Sequence, residues 1–127
     1  MTRKGEPRQG QAEPPVIFRA AYDLVLSVYR VVPGFPKSQR FVLGQRLEGE
    51  AVDLLAALVE ANLTRNKATA LGRASLGLER LRIFLRLAKD LSFLDFTRYE
   101  ELTRRTDDVG RMLGGWLKWA EGHAAEP

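Results

Sequence analysis

Between Thr69 and Phe93 the chain (TALGRASLGLERLRIFLRLAKDLSF) repeats apolar residues in steps of three and four. At that spacing Leu71, Ala74, Leu78, Leu81, Leu85 and Ala88 stack along one face of a helix. A second apolar group, Leu76, Ile83, Phe84, Leu87, Leu91 and Leu94, falls almost opposite. A surface helix of a monomeric bundle needs one buried stripe and turns a polar side to water. Two stripes ask for two partners: the core of the helix's own bundle and a neighbouring subunit. A narrow polar strip with Glu79, Arg82, Arg86 and Lys89 runs between them, so cations line the expected seam. Arg73 and Arg80 fall among the second apolar group, where a charge needs a counter-ion.

The remaining chain supplies three more helices. A first helix is predicted over about residues 16–32, with Phe18, Ala21, Tyr22, Val25, Val28, Tyr29 and Val32 as its stripe. Pro33 and Gly34 end it, and Pro36 suits the first turn of a second helix reaching Leu63. Phe41, Leu47, Ala51, Leu54, Leu55, Leu58 and Val59 are its expected core residues. Thr64 to Lys67 reads as a polar connection. Thr97 followed by Glu100 forms a capping-box pattern, which predicts helix four over residues 98–121 with Leu102, Thr106, Val109, Leu113, Trp116 and Ala120 inside. Short connections favour an all-α, antiparallel up-down-up-down four-helix bundle over residues 16–121. Residues 1–15, rich in Gly, Pro and Gln, are expected to be a disordered tail, and residues 122–127 a frayed one. Gly110 and Gly114, four apart beside Trp116, are expected where backbones pack closely.

Composition narrows the function. The chain's 127 residues suit one domain, and 45% hydrophobic with 28% charged residues is globular. Arg or Lys interrupts every apolar run before it could span a bilayer, and Arg3, Lys4 and Arg8 precede no apolar segment of a secretory signal. The absence of cysteine removes disulfides and thiolate chemistry and is compatible with the cytoplasm. No catalytic constellation assembles: the one histidine is His123, near the C-terminal end. Glu48, Glu50 and Asp53 are the densest carboxylates, expected on a solvated helix face rather than at a metal. Trp116 is expected to pack rather than to stack on bases. No cofactor, no metal and no enzymatic activity are expected. A net charge of +4 raises a polyanion partner, the more so once multiplied by assembly.

Two motifs carry a resemblance. Leu78 to Leu87 has the form L-x-x-L-R-x-Φ-L-R, with Φ aromatic, and Val109 to Leu117 has the form V-G-R-Φ-L-G-x-W, with Φ aliphatic. Over about residues 18–120 the chain resembles the accessory variability determinant (Avd) family of diversity-generating retroelements, and is similar to the related four-helix-bundle proteins of ribosomal RNA intervening sequences. The resemblance implies a bundle assembled as a barrel-shaped homopentamer with a basic surface. It also implies a partner reverse transcriptase and its template RNA, served without catalysis by the protein itself. Carried over by position, Arg82, Arg86 and Arg111 are the nucleic-acid-binding candidates. Arg80 and the N-terminal tail depart from the pattern. A purely structural protein–protein scaffold, an intervening-sequence protein and a small helical nuclease are the rival readings.

Overall fold

A computed structural model describes residues 14–123. Of the expected tails at residues 1–15 and 122–127, residues 1–13 and 124–127 lie outside them, whereas Pro14, Pro15 and Gly122 are helical. The described residues hold four principal helices and no strand: α1 (Pro14–Val31), α2 (Gln45–Leu63), α3 (Lys67–Asp90) and α4 (Phe96–Gly122). Each packs on the next, and α4 closes back on α1. The core runs down the middle of this ring, from Ile17, Leu24, Leu47 and Leu58 to Leu81, Leu85, Leu102 and Val109.

All six residues of the first α3 stripe are buried, as are all six of the expected α4 stripe. In α1 the stripe is rotated: Ala21, Val28 and Val32 are buried as expected, Ile17 and Leu24 join them, and Tyr22 and Tyr29 are exposed. Three-four spacing admits either row, and the purely aliphatic row excludes water without stranding a phenolic hydroxyl. On the second helix Leu47, Ala51, Leu54 and Leu58 are buried as expected, but Val59 is exposed and Phe41 is 78% exposed.

A break in helical geometry explains Phe41. After a 3₁₀ turn at Val32–Gly34 and a helical turn at Lys37–Gln39, Arg40–Gly44 forms a π-helical turn before α2 begins. A π turn holds an extra residue, which rotates everything before it against the stripe that follows. Leu43 therefore points inward instead of Phe41. Gly44 is required here: a Cβ would lie 2.7 Å from Val32 Cγ1 and 3.3 Å from the Gln39 carbonyl oxygen. Arg40 Nε donates to the Phe35 carbonyl oxygen at 3.1 Å. Phe35, itself buried, meets Phe93 with ring centroids 5.8 Å apart, so the α1–α2 and α3–α4 corners touch.

α3 stops at Asp90, three residues before the expected Phe93. Ser92 takes a positive φ of 64°, and the Phe93 amide donates back to the Ala88 carbonyl at 2.9 Å, a Schellman closure with serine where glycine is usual. Leu94, placed on the outer α3 stripe by spacing alone, lies beyond the helix and is buried.

α4 begins at Phe96, not Arg98, because Asp95 caps it instead of Thr97. The Arg98 amide donates to Asp95 Oδ1 at 2.8 Å. That bond, assisted by the Arg98 side chain, holds the Asp95 carboxyl below its ordinary value despite an opposing effect of burial. The folded value being depressed, the stabilisation is present above the ordinary value and disappears as pH falls through the lowered one. Asp95→Ala is expected to lower the melting temperature at neutral pH while Thr97→Ala leaves it nearly unchanged. The Asp95→Ala deficit is expected to shrink in acid, which thermal melts followed by circular dichroism at neutral and acid pH would check.

Candidate nucleic-acid interface

The three candidate arginines sit on α3 and α4, in different circumstances. Arg82 is the most enclosed, with 31% of its side chain exposed, and it spans the α3–α4 contact. Its Nη1 donates to Asp107 Oδ1 at 2.6 Å and its Nη2 to the Thr106 carbonyl oxygen at 3.3 Å. Its Nε lies 3.4 Å from Glu79 Oε1. The guanidinium rests over Gly110, where a Cβ would come within 2.7 Å of Nη2. The glycine of the second motif thus makes the space that the first arginine of the first motif fills. The expected close packing holds for Gly110 and not for Gly114, which has nothing within 4 Å of its Cβ position. Arg82 is a clamp between helices, not the freely presented surface cation that its spacing suggested.

Arg86 and Arg111 are surface cations. Both are 69% exposed, with Arg86 Nε 3.8 Å from Asp90 Oδ2 and Arg111 Nη1 3.2 Å from Asp108 Oδ1. Each pair lies within one helix, three or four residues apart. Exposed pairs of this kind contribute about 0–1 kcal/mol, so a phosphate can take the carboxylate's place at little cost. Arg104 and Lys118, exposed and seven residues to either side of Arg111, share its face of α4. The sequence signal for that row is a period of seven in the cations of helix four, of which only Arg111 belongs to a motif.

The cations on the outer face of α3 have partners on α2. Arg80 Nε donates to both Glu50 oxygens, at 3.1 and 3.0 Å, and Arg73 pairs with Glu60. These are the counter-ions that the sequence required. Glu50 is therefore not on a solvated face: it is 8% exposed. Trp116 is buried and meets Phe18 in a T-shaped arrangement, centroids 6.3 Å apart. His123, exposed, stacks on Trp119 at 4.4 Å and its Nδ1 lies 2.8 Å from the Trp119 carbonyl oxygen. Among the described residues no group of three His, Cys, Asp or Glu is placed to hold a metal ion, and no helix is long and apolar enough to cross a membrane.

No curated protein matches the chain. A family model described as bAvd-like matches residues 15–120, a span that takes in all four helices almost whole and both motifs. The match and the fitted pair of motifs agree: the chain belongs to the bAvd-like family, among the accessory variability determinant proteins.

Proposed function

We propose that the protein is a non-catalytic accessory factor of a diversity-generating retroelement. In this reading it is a cytoplasmic oligomer, a homopentamer by family likeness, that binds the reverse transcriptase and its template RNA and supports mutagenic complementary-DNA synthesis. The observation that carries the proposal is the family match over residues 15–120. Each chain is an up-down-up-down antiparallel bundle, a reading supported by the short connections at residues 64–66 and 91–95 and by the Phe35–Phe93 contact between two corners. The template RNA lies along the outer side of α3 and α4, over Arg86, Arg104, Arg111 and Lys118. Arg82 serves this surface indirectly, by locking α3 against α4.

The Arg86→Gln/Arg111→Gln variant is expected to keep wild-type mass and melting while binding template RNA more weakly. Removing a cation that neutralises a phosphate flattens the dependence of log affinity on log salt, by about 0.7 per phosphate on single strands. Titrations at several salt concentrations, with co-purification of the cognate reverse transcriptase in parallel, test both halves of the proposal. A wild-type slope in the variant would remove these arginines from the interface. Failure of the wild-type protein to bind RNA, with the reverse transcriptase still captured, would favour the structural scaffold, which the inter-helix pair of Arg82 with Asp107 also suits.

A further inference from the structure

The cation row on α3 and α4 leaves unused a hollow of about 280 Å³ on α2, beside its contact with α3. Phe41, Gln45, Gly49 and Asp53 line it at four-residue steps, with Arg46 next to them. The π turn at Arg40–Gly44 carries Phe41 out to solvent, and single π turns recur at functional sites. Gly49 adds no side chain, and nothing lies within 4 Å of its Cβ position. Asp53 is exposed and pairs with no cation among the described residues, since Arg80 and Arg73 are held by Glu50 and Glu60 on either side of it along α2. Arg46 rests its guanidinium 5.3 Å from the centroid of the Phe84 ring, which fixes a cation beside the hollow. More stand upstream: between Asp23 and Glu48 the chain carries Arg30, Lys37, Arg40 and Arg46 and no carboxylate.

We infer that this hollow takes an unpaired guanine of the bound RNA, laid over Gly49 with its Watson–Crick edge on Asp53, while a neighbouring base stacks on Phe41. The inference rests on the RNA-binding reading above and adds a base-reading site to it. A carboxylate only accepts hydrogen bonds, and it offers two oxygens side by side. Guanine alone among the four bases presents two adjacent donors on that edge, N1–H and the N2 amine. Adenine and cytosine set an acceptor nitrogen beside their amine, and the N3–H of uracil lies between two carbonyls. Each of these turns a lone pair toward the carboxylate. Single-stranded RNA is read on such edges, with its splayed bases stacked on aromatic rings, whereas a duplex keeps the edge paired and out of reach. Dimensions agree. Gly49 to Asp53 spans about 6 Å along the helix, and Phe41 lies about 12 Å before Gly49, room for one base and its neighbour. The hollow falls below the roughly 300–1,000 Å³ of sites that enclose a drug-sized ligand, which suits a base held at the surface. Arg46, with Arg40 and Lys37 before it, offers counter-charge to the phosphates on the Phe41 side, away from Asp53.

The test titrates a single-stranded oligouridine, and the same strand with one central guanine, adenine or cytosine, at constant salt. The wild type is expected to bind the guanine strand about tenfold more tightly than the others, within the range for a bidentate base contact. Asp53→Asn is expected to erase that preference while holding oligouridine at least as tightly, since a negative charge has gone. Phe41→Ala is expected to weaken all four strands about tenfold, because stacking tolerates any base. Gly49→Leu puts a good helix former where a Cβ is free, so it is expected to raise the melting temperature and yet weaken the guanine strand. All three positions are exposed, and circular dichroism with light scattering checks that fold and mass are unchanged. Equal binding of the four strands by the wild type, or a guanine preference that survives in Asp53→Asn, would overturn the inference and leave RNA binding itself standing. Guanosine monophosphate bound as tightly as the guanine strand would make the hollow a free-nucleotide site and overturn its assignment to RNA. Loss of reverse-transcriptase capture in Phe41→Ala, with wild-type RNA affinity, would assign the hollow to the protein partner instead. A wild type that binds none of the strands would overturn the RNA-binding reading and the inference with it.

Discussion

Leu81→Ala is expected to lower the unfolding free energy by about 2–5 kcal/mol. Leu81 is 0% exposed, midway along the α3 row that also buries Leu78 and Leu85. Truncation removes the transfer energy of the deleted methyl and methylene groups and leaves a cavity that the rigid ring of helices closes only in part. Ile83→Ala, two residues on and exposed, is expected to cost the isolated subunit little. Under the proposed oligomeric reading it is expected to act on assembly instead, with an effect on apparent stability that depends on protein concentration. Urea denaturation at two concentrations distinguishes the two: a concentration-independent loss at Leu81 and a concentration-dependent one at Ile83. Equal and small losses at both sites would mean that the buried face of α3 is misassigned.

The α3 and α4 stripes were legible because they keep strict three-four register over about five turns. The α1 stripe was legible only in part: Ala21, Val28 and Val32 are buried as read, but Tyr22 and Tyr29 match the helical period as well as Leu24 does. Periodicity cannot weigh the stranding of a hydroxyl against the burial of its ring. Phe41 departs from the pattern for a different reason. A π turn interrupts the helical period before α2, and its local signal is Gly44, whose necessity depends on Val32 packed against it. The α4 start was ambiguous between two acceptors two residues apart, Asp95 and Thr97, and the extended backbone at Asp95 decides it.

The charged residues divide in the same way. Arg80 and Arg73 on an apolar face announced a need for counter-ions, and Glu50 and Glu60 meet it. Nothing in the sequence distinguished Arg82 from Arg86, one turn apart in the same motif. The difference comes from Gly110 and Asp107 on α4, which let the first guanidinium sink between helices and leave the second in water. Arg86 and Arg111, with Arg104 and Lys118, are therefore the candidate cations that stay presented to solvent.

Arg80→Met is expected to destabilise the fold by about 3 kcal/mol, the lower end of the range for stripping a buried charge of its partner. Glu50 carries the cost. Its carboxylate is nearly closed off, and both of its oxygens accept from Arg80 Nε. Arg80 itself is 45% exposed, so water can reach part of the site vacated by the guanidinium, which is why the upper range is not expected. Adding Glu50→Met to Arg80→Met removes the orphaned charge and fills the space with an apolar chain of similar length. The double variant is therefore expected to lie close to wild type, and clearly above Arg80→Met alone. The pair then sets how α2 lies against α3 more than it adds net stability. Denaturant unfolding of the wild type, both single variants and the double variant closes the cycle. A loss below about 1 kcal/mol in Arg80→Met would place the pair with ordinary exposed ion pairs. A double variant worse than either single would show that the Glu50–Arg80 bonds stabilise the fold beyond what apolar packing can replace.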